Sequence, residues 1–205
     1  QTLMKIRTIA FHAGILATAL VLTGCSDTGG SDMEGMDHGN GTSSSPSASA
    51  EASGAVFNDA DVTFAMEMVM HHQQAIEMSD TLLAKDGVHP DVVALAKRIN
   101  AAQGPEIETM NQWLEDWGQD TDMGGMDHGG GMMSEEEMAA LEEADGETAS
   151  SLFLEQMIMH HQGAIDMAQA QIDNGQNPDA VALAQKIVED QTAEITEMQE
   201  LLAQL

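Results

Sequence analysis

Basic residues are nearly absent from this chain. Six Lys and Arg stand against 35 Asp and Glu in 205 residues, a formal net charge of −29. That balance excludes nucleic acid as a partner, because phosphate recognition needs a basic footprint. It leaves a solvated acidic surface whose field concentrates cations. Tyrosine is missing and aromatic residues make up 3%, so a core must be built from Leu, Ile, Val, Ala and Met. One cysteine is present, Cys25, and the apolar run before it, Ile9 to Leu22, is short for a membrane span of about 20 residues.

That cysteine closes a recognisable layout. Met4-Lys5-Ile6-Arg7 is a basic n-region, the apolar stretch follows, and Leu22-Thr23-Gly24-Cys25 ends it. This is the pattern of a secretory signal peptide, and its last four residues resemble a bacterial lipobox. The resemblance implies cleavage before Cys25, a lipid on its sulfur and anchoring on the outer face of the cell membrane. The mature chain would then carry no free thiol. In an oxidising compartment, a soft-metal site of Met and His escapes disulfide loss.

Methionine is what the chain has in excess, 17 residues of it. Two segments place Met beside paired histidines. Phe64 to Met78 contains Met68, His71, His72, Gln73 and Met78; Phe153 to Met167 contains Met157, His160, His161, Gln162 and Met167. The offset is 89 residues (160 − 71), and the matching extends further. Pro90 to Ile99 repeats as Pro178 to Ile187, and Gln103, Glu106, Ile107 and Met110 repeat as Gln191, Glu194, Ile195 and Met198. Asp32 to Gly39, with Met33, Met36 and His38, recurs as Asp122 to Gly129, with Met123, Met126 and His128. The chain is a tandem duplication.

The organisation follows from composition shifts. Residues 1–24 read as the signal peptide and 25–57 as a Ser/Gly-rich tether. Residues 58–205 read as helices: a hairpin over 58–118, a Met/Gly-rich linker over 119–133, and a hairpin over 134–205. Asp86-Gly87 and Asn174-Gly175 stop the histidine helices, while His89-Pro90-Asp91 and Asn177-Pro178-Asp179 start their partners. Neither hairpin can bury its apolar face alone. Together they predict an all-α antiparallel four-helix bundle.

At about 100° per residue, Phe64, Met68, Ala75, Ser79 and Leu82 line the inward stripe of the first helix, with His71 and His72 astride it. Gln103 and Gln191 fall on the inward stripes of the partner helices, with Glu194 at an edge, whereas Met70, Met159, Gln73 and Gln162 point away. Buried imidazoles and amides without partners cost about 1–3 kcal/mol each. Either they form a His–Gln–Glu network that fixes register, or they hold a metal. Di-iron bundles use Glu-x-x-His, and here Met68 and Met157 occupy the glutamate positions. A set rich in Met and His points to copper or silver; four imidazoles also suit zinc, which leaves the methionines unexplained. The expected ligands are His71, His72, Met68, Met78, His160, His161, Met157 and Met167, with Gln103, Glu106, Gln191 and Glu194. The two arms add Met33, Met36 and His38, and Met123, Met126 and His128. Met132 and Met133, in the same Gly-rich linker, are expected to have no packing role.

These residues resemble the bacterial ferritin-like family known as domain of unknown function 305. Its signature is a Phe, a Met-rich turn, His-His-Gln and an acid-Met tail, then a helix carrying Gln-x-x-Glu-Ile-x-x-Met. Both halves match, from about Asp59 to Leu205. Departures are Met70 and Met159, where the family often has proline, and Gly104-Pro105, expected to kink the second helix. The resemblance implies an extracytoplasmic bundle, with copper binding or tolerance in some members. The expected function is copper sequestration or transfer by a membrane-anchored lipoprotein, handing metal to another extracytoplasmic copper protein. A metal-dependent oxidase and a partner-binding bundle with an inert histidine network are the alternatives.

Overall fold

The computed structural model describes residues 56–119 and 130–205. The signal segment, Cys25, the tether as far as residue 55 and the arm residues Met33, Met36, His38, Met123, Met126 and His128 lie outside the described residues, whereas Phe57, expected in the tether, stacks on Trp117. Five α-helices follow in order: α1 (Asp59–Leu83), α2 (Pro90–Asp116), α3 (Glu135–Glu143), α4 (Gly146–Asn174) and α5 (Pro178–Leu202). The chain is all-helical among the described residues. Helices α1 and α2 form one hairpin, α4 and α5 the other, and α1 packs on α4 to join them, with the short α3 lying against both. This is the four-helix bundle that the repeat predicts.

Each start carries its own chemistry. Asn58 caps α1 in a reciprocal capping box with Asp61, and Ser134 does the same for α3 with Glu137. Asp145 caps α4 and Asn177 caps α5, while Pro90 and Pro178 fix the first turns of α2 and α5. Helix α2 runs unbroken through Pro105. The proline's missing donor falls on an exposed surface, where water can serve the freed carbonyl of Ala101.

Two equivalent positions, Asp61 and Ser150 (150 − 61 = 89), tie the hairpins to one another. The Asp61 carboxylate, fully buried, accepts from the backbone N–H of Gln176 and Asn177 at 3.1 Å and from the Gln171 amide at 2.5 Å. The Ser150 hydroxyl accepts from the backbone N–H of His89 at 3.0 Å. Each histidine helix thus holds the start of the helix belonging to the other hairpin. Burial would raise the Asp61 pKa, but the Gln171, Asn58, Gln176 and Asn177 hydrogen bonds outweigh it and hold it below the usual carboxylate value.

The core is divided. One apolar cluster gathers Met78 and Leu82 of α1, Leu95 and Ile99 of α2, Phe153 and Met157 of α4, and Met198 of α5. The other gathers Phe64 and Met68, Met110 and Leu114, Ala164 and Ala168, and Ile187 from the opposite ends of the same helices. Between them lies a polar waist containing the four histidines and two of the buried glutamines, Gln103 and Gln191.

Candidate metal centre

All four waist histidines are buried, at 1% exposure or less. His71 and His160, equivalent in the two repeats, meet across the α1–α4 contact with ring centroids 3.7 Å apart and planes tilted by 40°. Neither nitrogen of either ring has a hydrogen-bond partner. Burial first, then the nearby imidazoles of His72 and His161, pushes the His71 pKa down to about 3, a small backbone contribution from Gly130 opposing. Burial, reinforced by His71, His161 and His72, drives that of His160 well below the ordinary value. Both rings are therefore neutral at physiological pH, and neither makes a hydrogen bond to a side chain.

The neighbouring pair is arranged differently. His72 Nε2 lies 2.9 Å from Glu106 Oε2, and His161 Nε2 lies 2.7 Å from Glu194 Oε2. Burial works to raise the Glu106 pKa, but the His72 hydrogen bond and Lys186 outweigh it and keep the carboxyl ionised. An ionised carboxylate can only accept, so His72 Nε2 carries the proton and Nδ1 carries the lone pair. That Nδ1 is buried and unpartnered, as is Nδ1 of His161. Burial lowers the His72 pKa against the pull of Glu106. Glu106 and Glu194 stand behind these histidines, in the position of the carboxylates that orient metal-bound imidazole.

Gln103 and Gln191 are buried on α2 and α5, and the amide oxygen of each lacks a partner. Their symmetric placement, and the near-equal His–Glu distances, show that Gly104-Pro105 does not disturb the register of α2. Met68, Met78 and Met157 are fully buried in the clusters flanking the waist. Met167 departs from its repeat partner: it is half-buried and lines a groove of about 510 Å³ between the start of α1 and the end of α4. Met70 is half-buried and Met159 is 49% exposed, as the helical wheel requires. Among the described residues, no group of three or more His, Cys, Asp or Glu side chains converges closely enough to hold a metal as it stands.

The linker behaves differently from expectation at its end. Met133 has a packing role after all: it is buried in the first apolar cluster. Its N–H donates to Gln74 Oε1 at 2.7 Å, and its carbonyl accepts from Gln74 Nε2 at 2.8 Å. Just before it, Gly130 and Gly131 cross α4 at Gly163. A Cβ on Gly163 would come within 2.0 Å of the Gly130 carbonyl oxygen, and Gly131 adopts φ +91°. Gln74 and Gly163 are equivalent positions (163 − 74 = 89). One repeat supplies a pin and the other a notch. The signal was present in the sequence as the single point where His-His-Gln-Gln and His-His-Gln-Gly diverge.

Comparison with known proteins adds the family. The family described as Domain of unknown function (DUF305) matches residues 61–202. No curated protein matches the chain. Among solved structures, a DUF305 protein from Streptomyces coelicolor classed as secreted is 33% identical, with a TM-score of 0.67, covering 71% of this chain and 91% of that one. A DUF305 fragment from Deinococcus radiodurans is 32% identical, with a TM-score of 0.65 and coverage of 72% and 98%. CopM in its Cu(I)-bound form is 30% identical, with a TM-score of 0.62 and coverage of 70% and 96%; Cu(II)-bound, Ag-bound and apo forms of CopM also match.

Proposed function

The chain belongs to the DUF305 family, and from that premise we propose that it binds copper outside the cytoplasm, at the histidine waist of its bundle. The observation that carries this reading is the set of orphaned nitrogens. Two tilted, neutral imidazoles in ring-to-ring contact with no side-chain partner on any nitrogen, beside two more whose Nδ1 atoms are free, are costly as inert core and apt as soft-metal donors. CopM, at 30% identity, is a relative solved with Cu(I), and it is also solved with Cu(II) and Ag.

His71 and His160 are the primary ligands. A Cu(I) or Ag(I) ion accepts two or three donors, and two imidazoles sharing an ion need nitrogens roughly 4 Å apart, given metal–nitrogen bonds near 2 Å. The tilted rings reach that arrangement by turning edge-on about χ2, a broad torsion for histidine. His72 and His161 supply further donors through Nδ1, held in place by Glu106 and Glu194. Met68, Met78 and Met157 offer thioethers from the flanking clusters, with Met167 at the edge. Copper supplies soft Lewis acidity when bound; the protein supplies neutral donors and excludes water.

The same reading extends to the N-terminal segment and the Met-rich arms. Residues 1–24 are the signal peptide, Cys25 is the lipid anchor, and 25–57 is the tether that lifts the bundle from the membrane. The Met33–Met36–His38 and Met123–Met126–His128 arms capture copper and pass it to the waist, from which another extracytoplasmic copper protein receives it. The relative from Streptomyces coelicolor classed as secreted supports the location.

Titration with Ag(I) and Cu(I) checks this. Wild type is expected to show two classes of site, one that survives to pH 5 and is lost only as pH falls toward about 3, where protons compete for the His71 imidazole, and one acid-tolerant class in the thioether arms. Replacing His71, His72, His160 and His161 by Ala should remove only the acid-labile class, with helicity followed by circular dichroism. A single pH-independent class, unchanged by the substitutions, would mean that the waist only sets register.

A further inference from the structure

Between α2 and α5 lies a groove of about 250 Å³, lined by Gln103, Glu106, Asp190, Gln191 and Glu194 with small residues at its rim. Gln103 is 3% exposed and Gln191 4% exposed, and each has a buried amide oxygen with no hydrogen-bond partner. Orphaned amide oxygens in a groove shared with carboxylates call for a donor or a cation.

Charge around the groove points to the cation. Lys186 sits at the rim with Nζ 3.1 Å from Glu106 Oε1 and 2.5 Å from Asp190 Oδ2. Its counterpart in the first repeat is Arg98 (186 − 98 = 88), which is committed elsewhere, to Glu197. Glu194 consequently has no ammonium or guanidinium partner among the described residues. Three carboxylates, Glu106, Asp190 and Glu194, against one ammonium leave two negative charges, the charge of one divalent ion. The donors here are all oxygen, unlike the nitrogens of the waist.

We propose that this groove is a second cation site, separate from the His71–His160 pair, for a divalent ion that prefers oxygen. The amide oxygens of Gln103 and Gln191 and the carboxylates of Glu106 and Glu194 supply four donors, and water completes an octahedral shell. At ~30 Å³ per water, the groove accommodates an ion that keeps two. Lys186 is the built-in competitor: its ammonium occupies part of the site and is displaced when the ion binds. The site stands on the groove's own geometry and does not require copper at the histidines.

Mn(II) is the probe, followed on the full chain by loss of the free-ion EPR signal, with Ag(I) titrated in parallel. Gln103→Leu/Gln191→Leu should weaken Mn(II) binding by about tenfold or more and leave Ag(I) binding unchanged. Because it removes orphaned polar groups from a buried position, the variant should melt no lower than wild type. Lys186→Gln should tighten Mn(II) binding. The double variant keeps every surface carboxylate, so weak binding to the acidic surface cancels in the comparison. Equal Mn(II) affinity in wild type and double variant would overturn the proposal. Parallel loss of Ag(I) would also overturn it, by assigning the amides to the histidine centre. If Ag(I) binds neither protein while the Mn(II) difference persists, the copper reading fails and the groove site stands.

Discussion

An imidazole buried neutral in the native state must be compared with the same imidazole in the unfolded chain, where it protonates near about 6.5. His71, with its pKa depressed to about 3, and His160 and His72, also depressed, bind protons less readily folded than unfolded. The unfolded state therefore takes up more protons between these values, and stability must fall as pH falls through that window. Metal-free protein is expected to lose denaturant midpoint steadily from about pH 6.5 downward, well before the carboxylates titrate. A flat midpoint between pH 7 and pH 5 would mean that the rings are solvated in the native bundle. At this scale the sequence was informative about identity and silent about pose. Paired His beside Met on an inward stripe is legible from helical periodicity. That Nε2 of His72 faces Glu106 while both nitrogens of His71 face no partner depends on ring torsions that no spacing encodes.

Among the elements, the segment Gly130–Met133 is the informative one. Glycine inside a helix costs about 1 kcal/mol relative to alanine, so Gly163 in mid-α4 needs compensation, and the crossing backbone of Gly130 and Gly131 provides it. Gly163→Ala should help the isolated helix yet expel the crossing segment, since its Cβ has no room. Limited proteolysis should then cleave near residues 130–133 in the variant and spare wild type. Gln74→Ala should do the same more mildly, losing two hydrogen bonds worth about 1 kcal/mol each. Unchanged proteolysis in both would show that the segment is held by Met133 packing alone. Helix limits were readable where Asn58, Pro90, Ser134 and Asn177 are chemically explicit starts. The packing of Met133 was not, because a glycine-rich linker gives no period from which burial can be inferred. The reach of Asp61 to the α4–α5 turn escaped for a related reason: its partners are backbone groups, which leave no trace in side-chain pattern.

For the whole molecule, charge dominates. With a net charge of −29, and no basic residue in the last turn of any described helix, compactness is opposed by self-repulsion and by helix dipoles uncompensated at their C-terminal ends. Screening shortens the repulsion to about 10 Å at 0.1 M salt. The melting temperature should therefore rise by several degrees between low and high sodium chloride, in the absence of any specific ion. A melting temperature indifferent to salt would place the destabilising charge outside the bundle. The duplicated architecture was legible at this scale, because two hairpins that each lack a second layer leave few ways to close. The division of the core into two clusters by one polar layer was legible only in part, since it depends on where antiparallel helices cross.

The pin at Gln74 and the notch at Gly163 separate the ancestry of the waist from that of its cover. A pair of first halves would present two pins and no notch; a pair of second halves, two notches and no pin. The histidines would still face one another in either homodimer, yet neither could seat the linker segment that crosses α4 beside them. Fusion has made the halves complementary rather than interchangeable, so the single chain can no longer be resolved into self-pairing hairpins without uncovering its own centre.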